Sequence, residues 1–146
     1  PLGMYLVDMD FSEKRLTIEN IHVAVGISIF YLTILRLIYK TFNPTPNLNN
    51  SIFPGQKIIA KLNHVFLYIS ILMITISGAL KKLYNGEELN MFFFNLEIQD
   101  NFELAEIFYE IHILGNYTLI ALISLHIFAV LIHKILFKEN LLKKIL

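Results

Sequence analysis

Glu110-Ile-His-Ile-Leu-Gly-Asn-Tyr-Thr-Leu-Ile-Ala-Leu-Ile-Ser-Leu-His-Ile-Phe-Ala-Val-Leu-Ile-His-Lys134 is long enough to cross a bilayer as one helix. Between its terminal charges it holds no Asp, Glu, Lys or Arg, only His112, His126 and His133. His112 and His126 are fourteen residues apart. At about 100° per residue, fourteen steps end about 40° short of four whole turns. Both imidazoles therefore leave one side of the helix, roughly 21 Å apart along its axis. Two like ligands on one face at two depths suit two stacked cofactors.

Working outward, the whole chain has membrane character. Its 146 residues fit a single domain, but 55% are hydrophobic and only 16% charged, with a mean hydropathy of +0.59, more apolar than a soluble core of this size requires. Nothing in the charge pattern points to nucleic acid, and lipid is the expected surrounding. The absence of cysteine excludes disulfides, thiolate metal sites, iron-sulfur clusters and covalently attached c-type haem, so histidine is the main candidate metal ligand.

Two further spans are expected. One runs from about 21 to 39 and contains His22, Gly26, Ser28 and Arg36; the other runs from about 58 to 80, with Lys61, Asn63 and His64 near its start and Ser77-Gly78 near its end. With 111–134 this makes three. Ser12 or Thr17 is a candidate helix cap before the first of them. Asn43-Pro44-Thr45-Pro46-Asn47 breaks the chain between the first two, because proline lacks a donor and restricts the residue before it. The connection from Lys81 to Tyr109 is polar apart from aromatics such as Met91-Phe92-Phe93-Phe94 and Phe102, read as interfacial anchors.

Charge sets an expected orientation. Arg36, Lys40, Lys57, Lys61, Lys134, Lys138, Lys143 and Lys144, eight of the twelve Lys and Arg, share one side, while eleven of the twelve acids fall on the other. The side rich in Lys and Arg, with the C-terminus, is expected in the cytoplasm. His22 and His112 then lie at equal depth at the outer ends of their spans, where two imidazoles can clamp one metal from opposite sides. Arg36, fourteen residues from His22, is either a snorkelling anchor or the partner of a haem propionate. His64 and His133 stand near the cytoplasmic ends of their spans, where a histidine reaches water without any metal or can serve a quinone headgroup. Gly26 and Gly115 suit either helix packing or clearance for a porphyrin.

Ile21-His-Val-Ala-Val-Gly-Ile-Ser-Ile29, Leu35-Arg36-Leu37 leading to Asn43-Pro-Thr-Pro46, Asn63-His64, Ser77-Gly78, Glu110-Ile-His112, Leu125-His126 and Leu131 to His133 resemble, in order and spacing, the bacterial cytochrome b561 family. The resemblance covers essentially all of the chain. It implies a four-helix, di-haem, b-type cytochrome of the bacterial inner membrane, in a group that includes superoxide:ubiquinone oxidoreductase and is related to hydrogenase cytochrome b subunits. It further implies that His22 and His112 hold the outer haem and His126 one side of the inner haem. The other inner ligand belongs to a first helix carrying a His-Trp pair. Pro1 to Asp8 looks like the exit from that helix, so the chain is expected to be an N-terminally truncated member with three of the four spans. His126 is then unligated, recruits His64, or awaits a helix from another polypeptide.

The expected activity is one-electron transfer through bis-histidine haem b, with one haem at His22 and His112 and two in the intact family, between an outer donor, superoxide being one candidate, and the quinone pool, with ubiquinone a candidate substrate. Two alternatives stand beside it: the haem-bearing membrane anchor of a larger oxidoreductase such as a hydrogenase, and a non-redox, degenerate membrane module.

Overall fold

A computed structural model of the chain describes residues 2–43 and 55–136. The proline-containing stretch 44–54 and the tail 137–146 lie outside the described residues, as do the side chains of Leu2, Gln56, Lys57, His133, Lys134 and Leu136. The elements are α1 (Leu2–Val7), α2 (Glu13–Phe42), α3 (Gln56–Tyr84), β1 (Leu89–Asn90), β2 (Asn95–Leu96) and α4 (Phe102–Leu136). Three of them, α2, α3 and α4, are long and apolar enough to cross a membrane. The protein is an all-α, multi-pass membrane protein.

Each long helix begins or ends on recognisable local chemistry. Ser12 caps α2 by accepting from the Arg15 amide at 3.2 Å, and Glu13 places an acid in the first turn, where the helix dipole favours it. Thr17, the other candidate cap, instead donates to the Glu13 carbonyl. Gly55 precedes α3 at φ 88°, a left-handed conformation that costs glycine little and a β-carbon much. Lys40 closes α2, and Lys81 and Lys82 close α3, as a helix C-terminus favours. Within the spans, hydroxyls of Ser28, Thr33, Thr75, Thr118 and Ser124 donate to carbonyls of their own helices, so no hydroxyl among these faces lipid unpaired.

The helices run antiparallel in sequence order around α3. Asn63 meets His126 at one end of the α3–α4 pair and Tyr84 stacks on Phe108 at the other, centroids 5.7 Å apart. Against α2, α3 places Tyr68 beside Arg36 and Leu83 beside Ile27. The α3–α4 interface is the extensive one, α2 packs more lightly on α3, and α2 and α4 form no substantial interface of their own. Small residues let α3 and α4 close up: a β-carbon on Gly115 would lie 2.8 Å from Ile74 Cγ1 and 3.1 Å from Met73 Cε. Methionine can give way, but the branched Ile74 side chain is fixed near its backbone. Gly115→Ala is therefore expected to push the helices apart and destabilise the bundle by about 1–3 kcal/mol. Thermal loss of helical circular dichroism in detergent measures this, and an unchanged midpoint would contradict the close packing.

Between α3 and α4 the chain makes a short hairpin, with Leu89 opposite Leu96 and Asn90 opposite Asn95. It folds back onto the bundle. Leu89, 1% exposed, packs with Ile27 and Leu83, and Tyr31 Oη donates to the Met91 carbonyl at 3.1 Å. At the tip Phe92 has φ 68°, held by its amide donating to Asn90 Oδ1, while Phe93 is 83% exposed. The connection expected to be polar with anchoring aromatics thus has a fixed shape, and its first apolar residue is a core residue.

Candidate functional site

His22 on α2 and His112 on α4 meet across the gap that α3 holds open. Their ring centroids are 6.1 Å apart with planes at 88°. A metal bound by two imidazole nitrogens at about 2 Å each sets ring centroids about 6 Å apart. The spacing fits a metal between the rings, which belong to two helices with no substantial interface of their own.

His112 is positioned in detail. Its Nδ1–H donates to the Ile74 carbonyl at 2.9 Å, which fixes the tautomer and leaves the Nε2 lone pair for a metal. The same carbonyl accepts from Ser77 Oγ at 3.1 Å, using both of its lone pairs. Asn116 Nδ2 donates to the backbone carbonyl of His112 at 2.7 Å. A β-carbon on Gly78 would stand 2.9 Å from both Cε1 and Nδ1 of the His112 ring, so glycine is what lets the imidazole lie flat against α3. His22 is also flanked by α1: a β-carbon on Gly3 would lie 3.4 Å from its Cε1 and 3.7 Å from its Nε2. Gly26 meets nothing within 4 Å, whereas Gly115 is a packing glycine.

A second imidazole pair lies at the opposite end. His64 on α3 and His126 on α4 have centroids 5.4 Å apart, tilted by 58°. Asn63 Nδ2 donates to His126 Nδ1 at 2.9 Å, which puts the ring proton on Nε2; turning the amide over exchanges those roles without losing the contact. This pair differs from the first in two respects. It straddles the packed α3–α4 interface rather than a gap, and its rings are closer than a bridging metal would set them. Beside it, Arg36 Nε donates to Tyr68 Oη at 2.9 Å, and Lys40 Nζ sits 5.1 Å from the centre of the Tyr68 ring.

No cluster of three or more His, Cys, Asp or Glu side chains suited to a metal occurs among the described residues. A metal held by either pair must therefore bring most of its coordination sphere with it, which is what a porphyrin does. Residues 2–146 match the family described as prokaryotic cytochrome b561. The chain belongs to that family. It is also 24% identical over 149 residues to cytochrome b561 homolog 2 of Escherichia coli, across 99% of this chain and 79% of that protein. As a cytochrome b561, it is a b-type haem protein of bacterial membrane electron transfer, and the residues of the first pair suit that cofactor.

The structure brings His22 together with His112, and His64 with His126; Arg36 stands with the second pair. Tyr68 and the supporting role of Asn63 escaped the sequence reading. Tyr68 carried a usable signal: it is one helical turn from His64, on the same face. The Ile74 carbonyl carried none, since any residue supplies that atom.

Proposed function

We propose that this cytochrome b561 passes single electrons across the inner membrane, between a donor at the His22/His112 end and a quinone at the His64/His126 end. The observation that carries this reading is the 6.1 Å spacing of His22 and His112 across two helices with no substantial interface of their own. Haem supplies a one-electron iron couple when bound. His22 and His112 would hold the iron from two helices, and an iron held by two imidazoles would favour electron transfer over oxygen activation. Ile74, through Nδ1 of His112, orients the ligand and raises its basicity.

The second pair has a different role. His126 shares the face of His112 one repeat deeper and offers a ligand to a second haem; His64 offers a hydrogen bond to a quinone carbonyl, with imidazole able to deliver the proton that reduction requires. The Lys and Arg bias supports a cytoplasmic position for this end and for the C-terminus. At the outer end Lys81 lies within electrostatic reach of both His22 and His112, but Lys82 is paired with Glu87 and the surrounding residues are mostly acidic. Such a surround attracts superoxide poorly, which favours a neutral or cationic donor.

A reduced-minus-oxidised optical spectrum of the purified chain tests the proposal. Sharp alpha and Soret bands of a six-coordinate b haem are expected. Their absence from a folded, membrane-inserted chain would leave the non-redox module as the better account.

A further inference from the structure

Arg36 and Lys40 are one turn apart on the same face of α2, and both are held against Tyr68 of α3, by a hydrogen bond and across the ring face respectively. We propose that Arg36, Lys40 and Tyr68 form a clamp for the phosphate group of an anionic membrane lipid. The Tyr68 contact uses only Nε of the guanidinium. Both Nη groups have no protein acceptor among the hydrogen bonds of the described residues, and neither has the Tyr68 O–H, which accepts from Arg36 and remains free to donate.

The electrostatics point the same way. Among the described residues the one ion pair, Lys82–Glu87, lies at the opposite end, and so do all the described Asp and Glu. Two like charges at i, i+4 repel unless an anion lies between them. The clamp sits near the ends of α2 and α3, where lipid headgroups are, and basic pockets between transmembrane helices are suited to phospholipid headgroups. A phosphate can take the planar fork of Arg36 in two parallel hydrogen bonds, one more from Tyr68, and the ammonium of Lys40 as a point charge. The clamp stands about fourteen residues along α2 from His22, so it does not depend on the haem assigned to His22 and His112.

Native mass spectrometry of the full chain, released from detergent after incubation with equal amounts of phosphatidylglycerol and phosphatidylcholine, reads the site directly. The unaltered chain should retain phosphatidylglycerol preferentially. Arg36→Gln and Lys40→Gln should each reduce that preference about fivefold, the equivalent of one basic residue near an anionic surface. Tyr68→Phe, which keeps the ring and the fold, should weaken it severalfold, while Lys61→Gln, at the same end but outside the clamp, should not. If Lys61→Gln costs as much as Arg36→Gln, diffuse charge explains the binding and the clamp is wrong. Displacement of the lipid by excess inorganic phosphate, or a shift in haem midpoint potential in Arg36→Gln without any lipid preference to lose, would overturn the lipid assignment in favour of a free anion or a haem propionate. Equal retention of both lipids by the unaltered chain would also overturn it.

Discussion

Replacing His112 with leucine is expected to abolish haem binding at the proposed His22/His112 site, and replacing His22 with leucine to do the same. Each variant is expected to retain haem more than about 100-fold less well at that position, since changes to mere supporting groups around a metal already cost 10–100-fold. Pyridine haemochrome should show about one haem per chain fewer than in the unaltered protein, and the alpha band should fall with it. The leucine is sterically tolerable in an apolar span, so the chain should still insert and keep its helicity. The two substitutions should give the same loss, singly or together, because either one removes one of the two imidazoles that would hold the iron. Unchanged haem content and spectrum in both variants would remove this pair from the site.

The next largest effect is expected from a single added methyl group. In Gly78→Ala the new β-carbon would stand 2.9 Å from two atoms of the His112 ring. The ring is rigid, and its helix is pinned one turn away, where Gly115 lies against Ile74 and Met73. The imidazole can escape only by rotating, which breaks its bond to the Ile74 carbonyl. Overpacking of this kind costs about 1–3 kcal/mol, and losing the supporting hydrogen bond of a metal ligand costs about 10–100-fold in affinity. Gly78→Ala should thus lose haem in titration and shift the midpoint potential of what remains. Gly26→Ala makes the same chemical change where nothing lies within 4 Å, and should leave both properties alone. Equal behaviour of the two variants would mean that the close approach of His112 to α3 is immaterial.

The sequence reading located the three spans because an apolar run of membrane length is a strong and local signal. The observed helices are longer than those runs, extending to Glu13, Tyr84 and Phe102, because polar turns beyond the apolar window continue the helix until a cap such as Ser12 or a glycine stops it. The fourteen-residue spacing made the histidine face visible, and matched depth made His22 the natural counterpart of His112. What escaped depends on lateral position. Which helices touch and which stand apart is not encoded in any one helix's periodicity, so the contrast between the gap at His22/His112 and the packed seam at His64/His126 emerged only in three dimensions. The hairpin escaped for a related reason. Leu89 sits among polar residues, and its burial depends on Ile27 and Leu83, contributed by two different helices.

The separation of α2 from α4 also bears on how the molecule is made. His22 and His112 sit on helices that have no substantial interface of their own and both pack on α3, and α4 is the last of the three to be synthesised. During insertion, a chain that has delivered α2 and α3 presents His22 alone, with nothing opposite it. Only threading α4 in the correct direction and at the correct depth brings His112 up to Gly78 and completes the pair. With the haem at the proposed His22/His112 site, cofactor capture becomes a readout of finished topology: a chain arrested before α4, or with α4 inverted, would lack that haem.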